Sequence, residues 1–189
     1  MPGRAHSDKV GNAIIYIVDL VNKKHKKQVH ITKLLKLLYI IDELSVIETS
    51  APVTGLEYKV WEMGPVAIDV YYEFAHNKTD MFLLYAESKK REESILIQSV
   101  NKFDDSEFSD YEIELMDRVI NKYGHLDGPE LVELLHEDGG LWKSIVIKNN
   151  LLDEFKTKKT TNYTIDLSEK LNDNFMKSLF NNSKLSLSL

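Results

Sequence analysis

The run Lys33 to Ile47, inside ITKLLKLLYIIDELSVIE, limits the fold more than any other stretch of the chain. It contains no Gly or Pro and is rich in leucine, so it reads as a helix. Thr32 is placed to cap its start. Projected at about 100° per residue, Leu34, Leu35, Leu37, Leu38, Tyr39, Ile41 and Leu44 cover an arc of roughly 220°. A surface helix carries an apolar stripe nearer ~100° wide. This one must be packed on several sides, which makes it the central helix.

Asp42 breaks that pattern, falling between the directions of Leu35 and Leu38. A carboxylate there must be partnered, protonated or facing a cavity, because burying it bare is very costly. Three readings stand: an exposed helix end, a structural hydrogen bond to another element, and a functional role.

The period then changes. Gly55 to Glu62 alternates apolar with charged residues, a half-buried strand that puts Leu56, Tyr58, Val60 and Trp61 or Met63 near the core. Gly64-Pro65 reads as its stop, and Pro65 suits the first turn of a helix running to His76. Ala67, Val70, Tyr71 and Phe74 form the apolar face of that helix.

These residues carry a resemblance. KLLKLLYIID (Lys33 to Asp42), the aromatic strand ending in Trp61-Glu62-Met63-Gly64-Pro65-Val66, and Val70-Tyr71-Tyr72-Glu73-Phe74 resemble the signature of the Panacea domain, the SocA-like family of bacterial and phage antitoxins. Leu131 to Trp142 is similar to the family's L-x-x-L-T-H followed by P-W. Leu135 stands where threonine is usual and Leu141 where proline is usual, with the spacing from His136 to Trp142 altered. The resemblance spans about residues 10 to 145 and marks Lys33, Lys36, Leu37, Tyr39, Asp42, Trp61, Gly64, Pro65, Val66, Tyr71, Phe74, His136 and Trp142 as family motif positions.

The bulk properties exclude several classes. A chain of 189 residues fits one domain and can bury enough surface to need no metal or disulfide staple. With no cysteine, disulfides, zinc–thiolate sites and cysteine catalysis are ruled out. A formal net charge of −6 disfavours a general nucleic-acid binder and is compatible with a basic partner. No apolar run approaches the ~20 residues of a membrane span, and no apolar signal segment precedes Val10. The expectation is a soluble, cytoplasmic protein.

Elsewhere, Ser7 can cap a helix to about Lys23, followed by the basic run Lys23 to Lys27, read as a solvated helix end. Met81 to Ala86 and Ile95 to Val100 read as a hairpin with a charged loop from Glu87 to Ser94, which the Leu56 to Trp61 strand can join as a third strand. Ser109 to Glu112 matches a capping box, so a helix starts there and ends at Gly124. Gly128-Pro129 opens a helix through His136, Asp138 to Gly140 is a turn, and Leu141 to Ile147 is a short helix. Residues 1–150 are expected to form the Panacea-like domain and 151–189 a C-terminal extension packing on it. Lys156 to Asn162 reads as a loop, and Ser168 caps a last helix to about Phe180. The tail from Ser183 alternates apolar with polar, placing Leu185, Leu187 and Leu189 on one side of a strand-like end that can add to a partner's sheet edge; a frayed terminus is the alternative.

No constellation carries chemistry. The six histidines show no i, i+4 pair on one helix, and no phosphate-cradling glycine loop is present. His136 with Asp138 could be a base and its orienter, but no nucleophile is placed beside them. The expected fold is mainly helical α+β, a compact bundle around the central helix with a small antiparallel sheet. The residues point to a binding protein without cofactor or metal. The resemblance implies an antitoxin that neutralises a cognate protein toxin by direct contact, with no membrane or direct nucleic-acid binding, since nothing before Ser7 has room for a helix-turn-helix. A proteolytic adaptor and a His136-dependent hydrolase or transferase are the alternatives.

Overall fold

The computed structural model describes residues 4–76 and 80–187. It is a mainly helical α+β structure, and its elements wrap one helix, α2 (Ile31–Thr49), of which 13 of 19 residues are buried. The first helix α1 (Arg4–His25) lies against it, followed by the short strand β1 (Val29–His30). The hairpin β2 (Tyr58–Trp61) and β3 (Gly64–Ala67) leads into α3 (Ile68–His76), and a second hairpin, β4 (Ala86–Arg91) and β5 (Ser94–Ser99), follows. Four helices come next: α4 (Asp110–Tyr123), α5 (Gly128–Leu135), α6 (Leu141–Lys148) and α7 (Leu151–Phe155). A 3-10 turn (Leu167–Lys170) and α8 (Asn174–Leu187) complete the described chain.

The wide apolar arc finds its neighbours: α2 packs against β3, α4, α5, α3 and α1. Its side chains join one apolar cluster that runs from Val10 to Phe180. The helix starts one residue before Thr32, with His30 at the cap position and no side-chain cap bond. β1 leads directly into α2, so the turn is set by strand pairing rather than by a hydroxyl. α1 likewise begins at Arg4, ahead of Ser7. The capping box expected at Ser109–Glu112 closes, and the structure shows a second one, Asp127–Glu130, at the start of α5.

Several expectations are corrected. The strand of Tyr58 does not join the other sheet. β2 pairs with β3 (Tyr58↔Ala67, Trp61↔Gly64) and, on its other edge, bridges Thr164 through Lys59, while the separate sheet has the order β1-β5-β4. Gly64-Pro65 continues as strand instead of ending it. Gly64 sits at φ +91°, a backbone conformation that suits glycine, and turns the chain. Pro65 faces Val60, whose N–H points the other way, to Tyr163 O. The pair therefore exchanges no ladder bond, and the missing proline N–H costs nothing. Helix α3 consequently starts at Ile68.

In the second hairpin, residues 81–85 form turns and the charged segment supplies the strand, with Glu92-Glu93 as the tight turn. Lys89, Lys90 and Arg91 fit there because β4 is an edge strand, where charges discourage further pairing. The last helix starts later than Ser168: Asp166 caps the 3-10 turn, and Asp173 Oδ1 accepts from the amides of Phe175 and Met176 to start α8. The strand-like tail is overturned as well, because α8 continues to Leu187. Leu185 is 66% exposed on it, the Leu187 backbone belongs to its last turn, and Leu189 lies outside the described residues.

Candidate protein-binding face

Lysines on α2 tie the motif together from inside. Lys36, 1% exposed, donates from Nζ to Pro65 O at 2.8 Å, and burial pulls its ammonium down to about 7. Lys33 donates to Gly124 O at 2.7 Å, closing the carbonyl end of α4, with burial pulling it to about 8. A helix spaces residues 33 and 36 one turn apart, so the pair braces two elements on neighbouring sides of α2.

Asp42 proves fully buried and structural in its contacts. Its carboxylate accepts Thr54 N–H at 2.7 Å, the Thr54 hydroxyl at 2.5 Å and the Tyr58 hydroxyl at 2.9 Å. Burial raises this carboxyl above the ordinary range, and those donors oppose the rise. Tyr39 sits edge-on to Tyr58, ring centres 5.2 Å apart, and donates to Glu43 Oε1 at 3.0 Å. Leu37, Val66 and Phe74 are core residues.

At the other end of the motif, the His136 and Trp142 rings stack at 3.6 Å with planes 4° apart. Trp142 Nε1 donates to Trp61 O at 2.8 Å. Lys36 and Trp142 thus hold the two sides of the β2–β3 turn. A Cβ at Gly64 would lie 3.2 Å from Lys36 Nζ and 3.6 Å from His136 Nε2, so that glycine is required by both backbone and neighbours. His136 Nε2 is buried without a hydrogen-bond partner among the described residues. Burial, with the Lys36 and Lys143 charges adding to it, pulls the imidazole down to about 4. Asp138 makes no hydrogen bond to it, and its ring packs as part of a stack rather than facing a nucleophile.

Beside the held hairpin lies a half-buried aromatic cluster. Trp61 meets Tyr71 at 4.8 Å, Tyr71 meets Tyr72 at 5.7 Å, and Met63 at the turn is 50% exposed. A cleft of about 220 Å³ opens between this cluster and the first turns of α2, walled by Ile31, Leu35, Trp61, Val66 and Tyr71. Tryptophan, tyrosine and methionine are the residues enriched at the centres of protein interfaces. Among the described residues no three His, Asp or Glu groups are placed to hold a metal ion, and no helix is long and apolar enough to cross a membrane.

The family model described as antitoxin SocA-like, Panacea domain, matches residues 34–143. The chain belongs to the SocA-like Panacea family. No curated protein and no solved structure matches it. Within the Panacea match lie all the internal contacts just described except that of Lys33, one residue ahead of it. The structure brings Lys36, Gly64, Pro65, Trp61, His136 and Trp142 into one assembly. Leu185 stands apart from them on α8. Sequence reasoning did not find Thr54, the main partner of Asp42, because a threonine in a loop beside Gly55 carries no signal of its own. Nor did it find Glu73, buried on α3, whose carboxylate accepts Phe82 N–H.

Proposed function

We propose that this Panacea-domain protein is the antitoxin of a bacterial or phage-associated toxin–antitoxin pair, neutralising a cognate protein toxin by direct contact, without catalysis, in the cytoplasm. The family match over residues 34–143 carries the reading. The Trp61–Met63–Tyr71 cluster, with Met63 exposed and the two rings half-buried, supports it, since such a group is suited to a protein partner. Residues 1–150 act as the binding domain and 151–189 as an extension that adds surface. On α8, Phe175 (69% exposed), Leu179 (41%) and Leu185 (66%) give that extension apolar groups the core does not use.

Co-expression with the product of the neighbouring reading frame tests the proposal. Growth rescue, together with a complex that survives purification, is the expected result. A folded protein that neither rescues nor binds would overturn it. Rescue that vanishes in a protease-deficient host would favour a proteolytic adaptor over neutralisation by contact. Truncation after Asn182 tests the extension: unchanged folding and unchanged rescue would confine the interface to the core.

A further inference from the structure

A second cleft, of about 260 Å³, lies where α2 faces the turn between α5 and α6. Ile40, Leu44, Leu134 and Leu141 make its apolar walls. At its inner end the Tyr39 hydroxyl is bonded to Glu43, whose side chain is only 16% exposed. Glu137 and Asp138 stand exposed at its mouth. Among the described residues Lys170 is the single cation on the lining, and it is already engaged, donating to Gly139 O at 3.3 Å and lying 3.7 Å from Glu43. Neither Glu137 nor Asp138 has an ion-pair partner among the described residues.

Three carboxylates face one ammonium, so the cleft has two negative charges unmatched. Its volume falls below the roughly 300–1,000 Å³ of ordinary small-molecule sites and suits one long side chain. Apolar walls ending in carboxylates complement a side chain with an apolar stem and a cationic head. Arginine answers best, because its planar fork can engage carboxylates on two sides and it is enriched among interface anchors. The amide end of α6 lies on the same wall, so the preference for a cation comes from the carboxylates alone.

We propose that this cleft receives an arginine side chain of the toxin as an anchor of the complex, an inference that rests on the antitoxin reading and names the chemistry of the partner. The site lies beside the His136–Trp142 stack, with Trp142 on its lining, so the anchor would dock against a rigid wall.

The test measures toxin association with the full-length wild type, with the Glu137→Gln/Asp138→Gln variant and with the Glu137→Lys/Asp138→Lys variant. Both positions are exposed, so folding is expected to be unchanged, and circular dichroism checks it. The lysine variant should associate about tenfold more slowly at low salt, and the glutamine variant should lose most of the salt dependence seen in the wild type. Rescue by the wild type combined with unchanged association rates in both variants would overturn the arginine anchor and leave the antitoxin reading standing. If the wild type binds no toxin, the antitoxin reading fails, and N-acetylarginine amide then probes the cleft directly. Shifts of the Gly139 and Gly140 amide resonances that N-acetylnorleucine amide does not reproduce would support the arginine site. No shift, or equal shifts with both amides, would overturn it.

Discussion

Replacing Asp42 by alanine would orphan three donors at once: Thr54 N–H, the Thr54 hydroxyl and the Tyr58 hydroxyl. Asp42, Thr54 and Tyr58 are all within 1% of complete burial, so bulk solvent does not reach the donors that the carboxylate satisfies. Each buried donor left unsatisfied costs about 1–3 kcal/mol, and the two hydroxyls recover part of that by rotating. A loss on the order of 4 kcal/mol follows, a large share of the ~5–15 kcal/mol of a whole domain. Tyr58→Phe alone removes one bond and should cost roughly 1–2 kcal/mol. In the Asp42→Ala background the same change deletes an orphaned hydroxyl, so it should cost little or stabilise. Urea unfolding at neutral pH of the wild type, both single variants and the double variant gives the coupling directly. A cost below about 1 kcal/mol for Asp42→Ala, or an equal effect of Tyr58→Phe in both backgrounds, would refute the reasoning.

Three further outcomes follow from the central helix and the turn it supports. Leu38→Ala, at a position with 0% exposure, should cost about 2–5 kcal/mol through the cavity it leaves, and a loss under about 0.5 kcal/mol would show the site is not core. Lys36 binds its proton less tightly when folded (about 7) than when unfolded (10.5), so between those values the unfolded chain carries a proton the folded chain lacks and stability rises with pH. Lys33 acts in the same direction. Lys36→Met should flatten that rise in urea midpoints taken from pH about 7 to about 9, and an unchanged slope would contradict it. Gly64→Ala should cost roughly 1–3 kcal/mol, since strain at φ +91° adds to a Cβ only 3.1 Å from Lys36 Cε. Gly139→Ala, at φ +87° with nothing within 4 Å, should cost less in the same melt and so isolates the contact.

The helical skeleton could be read from the chain because its signals are local. A leucine arc spanning two-thirds of a helix can mean only burial, and a Ser-x-x-Glu box closes within its own four residues. Asp42 was legible as an anomaly for the same reason, although its partners, 12 to 16 residues away in a loop and a strand, were not. The strands were read less well. Phe82 is buried while Leu83 and Leu84 are 53% and 70% exposed, so an apolar run mimicked a strand that lies further on, among charges an edge tolerates. Pro65 looked like a stop because nothing local shows that Val60 turns its N–H toward Tyr163, about a hundred residues downstream. The Lys36–Gly64–His136 assembly is likewise a product of three distant elements. Motif resemblance named its members, and only the folded chain shows that they touch.

The segment around Tyr163 has a practical side. Val60 N–H donates to Tyr163 O, Glu62 N–H to Lys159 O, and Ile165 N–H to Tyr58 O, so residues 159–165 lie along the edge of β2 that β3 leaves open. Phe155 also stacks beside Trp142, ring centres 6.3 Å apart. All of these partners fall beyond residue 143, where the family match stops. A chain cut at that boundary would keep every motif residue from 34 onward, yet would uncover a strand edge flanked by Trp61 and a bared indole face. Unpaired edges of this kind recruit other strands. The residues after 143 therefore act as a sheath over the matched region, covering its open strand edge and the indole face of Trp142.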